Sequence, residues 1–128
     1  MAVPTNKLLE RVLDYAALKQ KVISQNIANA GTINYKRKDV EFSATYSNAI
    51  KSVEKNHIGS IGGNQKTLQT KIKVVTDDSE NLDSGFNNVD VNKEMADMAQ
   101  NTILFKFAAR KLNNYFKSLQ YVISGGKR

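Results

Sequence analysis

The sequence predicts a mainly α-helical protein in which two long terminal helices pair as an antiparallel coiled coil, with a central region of loops, one short helix and a little extended or β structure. Three observations predict this fold: an apolar repeat near the C-terminus, an apolar stripe near the N-terminus, and a charged, glycine-containing segment between them. Alternate steps of four and three residues from Val91 reach ten positions, nine of which are apolar. We call these positions the apolar seam: Val91, Met95, Met98, Thr102, Phe105, Ala109, Leu112, Phe116, Leu119 and Ile123.

The C-terminal helix is predicted to span 91–123. No glycine or proline occurs within 87–124, and a helix over 91–123 at about 1.5 Å per residue is roughly 50 Å long. Asp90 or Asn92 is the expected N-cap. A heptad seam on a single helix has nothing of its own to bury against, and the seam therefore implies a partner helix.

An N-terminal helix over about 6–30 supplies that partner. Thr5 or Asn6 is the expected N-cap, and Asn26 interrupts the stripe where it can fix the register of the pair. The connection between the helices is long enough for them to pair in parallel or antiparallel, and we predict antiparallel pairing. The apolar stripe consists of Leu8, Leu9, Val12, Leu13, Ala16, Val22, Ile23, Ile27 and Ala30.

The segment that follows this helix is predicted to turn sharply twice. Gly31 and Asn34 are the residues that best tolerate left-handed backbone. Asn29 and Thr32 carry side chains that can cap the backbone groups such turns leave unpaired. Tyr35 is then expected to fold back as an apolar anchor with a polar tip.

The centre of the chain is predicted to hold one short helix and one strand. Apolar residues at helical spacing predict an amphipathic helix over 41–55, and glycines predict a loop over 56–64. Alternation of apolar and polar residues over 67–76 predicts a strand, whose partner is either a weak strand near 38–41 or another molecule. The acidic stretch 77–88 is predicted to be a turn or a mobile link.

At 128 residues the chain has the length of one domain. Within it we expect a discontinuous coiled-coil core formed by 1–34 and 88–128, and a central region formed by 35–87. The isolated core is expected to be thin, because two long helices pack as a rod with much surface for their volume.

Composition excludes several classes of protein. The chain has no cysteine, which excludes disulfides and thiolate chemistry. No apolar run approaches the length of about 18 residues that a membrane span needs, so we expect no membrane insertion, and no cleavable signal pattern occurs at the N-terminus.

The net charge of +7 is unevenly distributed, with eight basic residues against three acidic ones in 35–75 and five acidic residues with no basic one in 76–90. Lys36, Arg37 and Lys38 beside Tyr35 leave a basic helical nucleic-acid-binding module open as an alternative. A solvated basic surface is the simpler explanation, and we predict no nucleic-acid partner.

The residue types that carry catalysis do not converge in this sequence. His57 is the single histidine and lies beside Gly59 without a nearby acid. Asp77, Asp78 and Glu80 lack the spacing of a calcium loop, and the glycines of 56–64 lack a phosphate-loop pattern. We therefore predict no enzymatic activity, no cofactor and no metal.

Assembly is the function that the residues favour. Apolar side chains on the C-terminal helix also occur outside the apolar seam, so the helix is apolar on more than one face. Surplus apolar surface of this kind is typical of packing against other subunits. These additional residues are Leu104, Phe107, Ala108, Tyr115, Tyr121 and Val122.

Two motifs resemble those of the bacterial flagellar axial proteins, the rod, hook and junction subunits. The first runs from Asn26 through Asn29, Thr32 and Tyr35 to Lys36 and is followed by Phe42; the second comprises Asn88-Val89-Asp90-Val91, then Glu94-Met95, Met98 and Asn101. The length and the C-terminal sequence are closest to the proximal rod subunits of the FlgB type, with the other short proximal subunit, the FlgC type, as the alternative. With seam positions added, the assembly residues are Asn26, Asn29, Thr32, Tyr35, Phe42, Val89, Asp90, Glu94, Met95, Met98, Asn101, Phe105, Leu112, Phe116 and Leu119.

The resemblance implies a structural subunit of the flagellar basal body, located in the cell envelope. In such proteins the terminal helices form a coiled-coil core that orders on assembly, and the chain is exported unfolded by the flagellar type III apparatus without cleavage. The implied partners are other rod proteins, copies of the same chain, the basal-body adaptor protein and the export gate. The implied roles are torque transmission and lining of the export channel.

Overall fold

The computed structural model describes residues 5–48, 66–80 and 87–125. The elements follow the order helix, strand, strand, helix, so the predicted mainly α fold with long terminal helices is confirmed. The four elements are helix α1 (Thr5–Ala28), strand β1 (Lys38–Asn48), strand β2 (Lys66–Thr76) and helix α2 (Val91–Ile123).

Helices α1 and α2 run in opposite directions. Near the end of α1, Asn26 donates a hydrogen bond to Glu94, which lies near the start of α2. Farther along α2, Asn101 donates to the carbonyl oxygen of Ala16, in the middle of α1. The contacts step backwards along α1 as they step forwards along α2, which confirms the antiparallel pairing.

The face of α2 that meets α1 is not the apolar seam. The buried residues of α2 are Glu94, Asn101 and Ala108, which recur every seventh residue. In contrast, the seam residues Met95 and Phe116 are 60% and 50% exposed. The expectation that the apolar seam forms the centre of the contact with the first helix is therefore wrong, because the seam lies at its edge, where Thr102 and Phe105 line a groove beside α1. Two hydrogen-bonded polar side chains and one small alanine fill the contact, and the larger apolar side chains lie beside it.

Helix α2 is also longer than its partner, with 33 residues against 24. Because Glu94 lies opposite Asn26, the start of α2 is level with the end of α1, and the excess length falls at the C-terminal end of α2. At about 1.5 Å per residue this excess is roughly 14 Å. We call the last nine residues of the helix, 115–123, the protruding end of α2.

Local hydrogen bonds and backbone conformation explain where α2 begins and where it ends. The predicted N-cap Asp90 accepts hydrogen bonds from the backbone N–H groups of Asn92 and Lys93, at 2.9 and 3.2 Å. Past the last turn, Gly125 has a φ of 66°, a left-handed conformation that ends helices and that glycine adopts without steric cost.

Strands β1 and β2 form an antiparallel two-stranded sheet, with Lys38 opposite Thr76 and Phe42 opposite Ile72. The partner predicted near 38–41 is thus the start of a longer strand, and the short helix predicted over 41–55 is wrong for residues 41–48. Apolar residues at every second position from Val40 satisfy the pattern of a strand as well as that of a helix, and pairing with β2 decides between them. Residues 49–55, and the predicted loop 56–64 with His57, lie outside the described residues.

The sheet lies against α1. The ring of Phe42 on β1 contacts the ring of Tyr15 on α1, with 5.5 Å between the ring centroids. On the same strand, Val40 is buried. Among the side chains that the structure describes, the small apolar core between helices and sheet contains Ala16, Val22, Ile23, Val40, Val89 and Ala108.

The connection from α1 to β1 contains one left-handed residue. Asn34 has a φ of 59°, as predicted, whereas Gly31 does not adopt a positive φ, contrary to our expectation. The turn after α1 instead closes through a hydrogen bond from the Thr32 N–H to the Asn29 carbonyl, at 2.9 Å. This bond reverses the chain without requiring left-handed backbone at Gly31.

Candidate functional site

Asn26 is the centre of a buried polar network at the junction of both helices and β1. It is completely buried, and its Nδ2 donates to the carbonyl oxygen of Lys38 at 2.7 Å and to Oε2 of Glu94 at 3.1 Å. Its Oδ1 accepts from the backbone N–H of Lys38 at 3.0 Å and from the hydroxyl of Tyr35 at 3.1 Å. Every hydrogen-bonding site of the amide is used, and one side chain fixes α1, β1 and α2 relative to each other.

Arg37 extends this network to four carboxylates. Its Nε donates to Oε1 of the fully buried Glu94. Its terminal nitrogens lie 3.3 Å from Oδ2 of Asp39, 3.4 Å from Oδ2 of Asp97 and 3.7 Å from Oδ2 of Asp77. We call Asn26, Arg37, Glu94 and these three aspartates the junction network. Since the guanidinium compensates the buried charge of Glu94, the network depends on Arg37.

The charges around Arg37 change how it titrates. Burial acts to lower the pKa of Arg37, but the hydrogen bond and charge of Glu94, with the charge of Asp39, outweigh burial and raise it. Arg37 therefore remains a cation inside the network. A guanidinium held in this way has its donors directed at carboxylates, which removes Arg37 from the basic cluster that suggested nucleic-acid binding.

Two aspartates of the network titrate below their usual range. Burial acts to raise the pKa of Asp39, but a hydrogen bond from the Val40 N–H and the charges of Lys19 and Arg37 outweigh it and lower the pKa. At the edge of the network, hydrogen bonds from Ser79 are the main cause of the lowered pKa of Asp77. Both groups bind protons less readily in the folded chain than in the unfolded chain.

These pKa values predict that acid destabilises the fold. A carboxyl with a lowered folded-state pKa stabilises the protein above its unfolded value of about 4, and this contribution is lost as pH falls through the folded value. We expect Asp39→Asn to lower the free energy of unfolding at pH 7 and to lower it less near pH 3, where the contribution of the carboxylate is being lost. Urea denaturation followed by circular dichroism at both pH values measures this. Equal differences at the two pH values would contradict the assignment.

Asn87 and Asn88 attach the segment before α2 to the end of α1 and to the start of β1. Nδ2 of Asn87 donates to the carbonyl oxygens of Asn29, Ala30 and Thr32, at 3.2, 2.7 and 3.0 Å. In the same way, Oδ1 of Asn88 accepts from the Arg37 N–H at 2.7 Å, and Nδ2 of Asn88 donates to the carbonyl oxygen of Asp77 at 2.8 Å. Sequence reasoning missed both roles for Asn87 and Asn88, because their partners are more than ten residues away in the chain.

The structure brings several predicted assembly residues into this junction. Asn26, Tyr35 and Glu94 bond within it, and Val89 is buried beside it. Asn29 and Thr32 form a local turn, with 3.2 Å between the Thr32 hydroxyl and Oδ1 of Asn29. These motif residues therefore hold the ends of the helices together within the subunit.

Asn101 lies apart from the junction, in the middle of the helix pair. Nδ2 donates to the carbonyl oxygen of Ala16 at 2.8 Å and to Oε1 of Gln20 at 3.1 Å, while the buried Oδ1 has no hydrogen-bond partner among the described residues. Beside it, a groove of about 460 Å³ lies between the helices and is lined by Ala16, Ala17, Gln20, Asn101, Thr102, Phe105 and Lys106.

The remaining predicted assembly residues on α2 lie beside its contact with α1 and are partly exposed. Met95, Phe105, Phe116 and Leu119 are at least two-fifths exposed, while Met98 and Leu112 are half-buried. These residues form an apolar face along α2. Exposed Ile103, Phe107 and Tyr121 lie on the opposite side of the helix. Exposed apolar side chains grouped in this way are typical of interaction surfaces.

The described part of the chain contains neither a metal-binding cluster nor a helix that could span a membrane. Within residues 5–48, 66–80 and 87–125, no three or more acidic, histidine or cysteine side chains are arranged to hold a metal ion. Among the helices described, none is long and apolar enough to cross a bilayer.

Comparison with known proteins identifies the family of this chain. No protein-family model matches the sequence. The flagellar basal body rod protein FlgB of Bacillus subtilis is 35% identical over 119 residues, which cover 93% of this chain and 92% of that protein. The chain belongs to the FlgB family of flagellar basal body rod proteins. FlgB of Borrelia hermsii is 34% identical over 91% of this chain and 93% of the relative, and FlgB of Borreliella burgdorferi is 31% identical over 88% and 90%.

Membership of the FlgB family confirms the resemblance drawn from the two terminal motifs. The chain is a structural rod protein of the bacterial flagellar basal body. In this FlgB-family chain, the two motifs meet at the junction network, where Asn26 of the first motif bonds to Glu94 of the second.

Proposed function

We propose that this FlgB-family protein assembles with copies of itself and with other axial proteins through the exposed apolar face of α2. The observation that carries the proposal is the separation of two faces on one helix. Glu94, Asn101 and Ala108 face α1, whereas the apolar seam lies beside that contact and leaves Met95, Phe105 and Phe116 at least two-fifths exposed. A helix that already has a partner inside the subunit has no internal use for a second apolar face.

Torque transmission and lining of the export channel are the roles that we propose for the assembled rod. Torque requires subunits that keep their shape under load, and the junction network supports this by fixing α1, α2 and β1 with hydrogen bonds and charges. We further propose that 1–34 and 88–128 act as the coiled-coil core and 35–87 as a separate central region.

The partners and the route to the rod are proposals that rest on family membership. We propose contacts with the basal-body adaptor protein, the flagellar export gate and neighbouring rod subunits, and export without a cleaved signal. The subunit has a mechanical role, and we propose no catalysis and no cofactor.

The assembly face is tested by Phe105→Asp. Phe105 is 42% exposed, so the monomer can hydrate the new charge, whereas a packed interface would bury it at a cost of several kcal/mol. We expect Phe105→Asp to abolish incorporation into the rod, measured by swimming motility and by the subunit content of isolated basal bodies in a strain lacking the wild-type gene.

The matched control is Asn114→Asp, nine residues further along α2 and therefore on the opposite side of the helix. Asn114 is exposed, and its variant is expected to swim normally. Circular dichroism of both purified variants should show wild-type helicity. Normal motility of Phe105→Asp at wild-type abundance would refute the proposed assembly face.

A further inference from the structure

The two outer edges of the two-stranded sheet differ in what covers them. The N–H of Asp77 donates to the carbonyl oxygen of Arg37, directly opposite on the other strand. Hydrogen-bonded pairs alternate along antiparallel strands, so the backbone groups of the next pair, Lys38 and Thr76, point outwards. On the β1 side, both backbone groups of Lys38 bond to the side chain of Asn26. Helix α1 therefore covers the outer edge of β1.

The outer edge of β2 is uncovered. Its outward-pointing backbone groups belong to Ile72, Val74 and Thr76, and no hydrogen bond reaches them from any residue that the structure describes. The side chain of Val74 is 42% exposed, whereas Val40, directly opposite on β1, is buried. Free N–H and C=O groups beside an exposed apolar side chain form a template for a further strand. We call residues 71–77 with these groups the β2 edge.

The β2 edge is complementary to a second copy of itself. Lys73 and Asp77 are four residues apart, with Val75 midway between them, so all three share one face of an extended chain. When two antiparallel copies place Val75 opposite itself, Lys73 of each copy is directly opposite Asp77 of the other. The outward groups of Val74 then bond those of Thr76 in the second copy. Sliding the copies by two or four residues brings Lys73 diagonal to or opposite its own equivalent, where like charges repel.

Each member of this charge pair also faces an opposite charge across its own sheet. Lys73 is opposite Glu41 on β1, and Asp77 is opposite Arg37. The row across the paired sheets therefore alternates in sign at every step: Glu41 and Lys73, then Asp77 and Arg37 of the second copy. The charge of Lys93 also acts on Asp77 within the subunit. Even so, the Asp77 side chain is 34% exposed, and Arg37 shares its charge among four carboxylates.

We propose that two copies of the free subunit pair through the β2 edge, antiparallel about Val75, into one four-stranded sheet. Beyond the central row the charges balance, with Lys36 and Lys71 against Asp78 and Glu80, so the central row determines the register. The pair is two-fold symmetric and closed, so it covers the edge of the free subunit without adding further copies. One strand from each copy makes a small contact, and we expect the association to reverse on dilution.

Cysteine cross-linking tests the register, because the chain has no cysteine of its own. Opposite residues of a non-hydrogen-bonded antiparallel pair lie about 4.5 Å apart at Cα, within the range of a disulfide. Under mild oxidation, Val75→Cys is expected to form a disulfide-linked dimer at least about tenfold faster than Ser43→Cys, measured by electrophoresis without reductant. Ser43 is the matched control, since it is exposed on the same face of the sheet but on β1. Faster cross-linking of Val74→Cys than of Val75→Cys would overturn the register.

Val74→Pro tests the edge itself. The Val74 N–H points outwards, so proline leaves the bonds to β1 in place and removes one donor from the β2 edge. In sedimentation velocity we expect a concentration-dependent dimer for the wild type and for Phe105→Asp, and a monomer with unchanged circular dichroism for Val74→Pro. The cross-linking comparison does not depend on this variant.

Two results would overturn the pair through the β2 edge. One is a wild-type chain that stays monomeric at every concentration, and the other is Val75→Cys that cross-links no faster than Ser43→Cys. If Val74→Pro is folded and fails to enter the rod although the wild type is monomeric, the edge binds a strand of another protein instead of a second copy. None of these results bears on the apolar face of α2, which Phe105→Asp tests in the rod.

Discussion

Replacing Arg37 by methionine is expected to lower the free energy of unfolding by about 3 to 5 kcal/mol, the range for breaking a buried ion pair from one side. The guanidinium is the group that compensates Glu94, a carboxylate with no exposed surface. Without it, Glu94 retains the hydrogen bond from Asn26 and no charge partner within the junction network. Urea denaturation at pH 7, followed by circular dichroism, gives the difference.

Arg11→Met is the matched control for this change. Arg11 pairs with Asp14 at 3.5 Å on the surface of α1, where both side chains are more than half exposed, and such pairs contribute about 0 to 1 kcal/mol. A double variant, Arg37→Met with Glu94→Leu, should recover part of the loss, since it removes the uncompensated charge as well. If Arg37→Met and Arg11→Met cost the same, the junction network does not carry the stability that we assign to it.

The second large effect is expected from Asn26→Asp, a change of one atom in a completely buried side chain. The variant loses both donated hydrogen bonds, to the carbonyl oxygen of Lys38 and to Glu94, and places a carboxylate against two oxygen acceptors. Leaving buried polar groups unsatisfied costs about 1 to 3 kcal/mol each, and more for charged groups. We therefore expect a loss of at least about 3 kcal/mol at pH 7, measured by the same denaturation experiment.

Asn29→Asp provides the same chemical change at an exposed hydrogen bond, from Nδ2 of Asn29 to the carbonyl oxygen of Gln25. An acidic side chain near the C-terminal end of a helix costs about 0.3 to 1 kcal/mol. If Asn26→Asp lowers the free energy of unfolding no more than Asn29→Asp does, burial at the junction does not determine the destabilisation.

The bounds of the long helices were predictable because local chemistry determines them. Asp90 caps α2, and a glycine with left-handed backbone follows its last turn. The sequence between them contains neither glycine nor proline. Such signals act over one or two turns of helix and are visible without knowledge of distant partners.

The face of α2 that meets α1 was not predictable from the same pattern. Periodicity identifies an apolar face, but it does not say whether that face is used inside the subunit or between subunits. Here the internal contact uses Glu94 and Asn101, whose hydrogen-bond partners Asn26 and Ala16 lie on the other helix. A polar residue in a heptad position is read as an interruption until its partner is known.

The junction network was predictable only in part. Asn26 and Glu94 stood out through the terminal motifs, but Arg37 was read as one of three surface cations beside Tyr35. Its burial depends on carboxylates as distant in sequence as Asp97. The prediction of a short central helix was wrong for a related reason. Phe42 fits a helical and an alternating pattern equally well, and only pairing with β2 decides between them.

The bonds that join α1 to α2 connect residues 68 and 85 positions apart in the chain. Contacts of such long sequence separation form slowly, because the entropy of closing a long loop is lost first. Most of the stability of a helix in a protein comes from packing on its partners. A ribosome must therefore release nearly the whole polypeptide before the native arrangement can close. Until then, the emerging N-terminal helix lacks the partner to which Asn26 and Ala16 bond in the folded subunit.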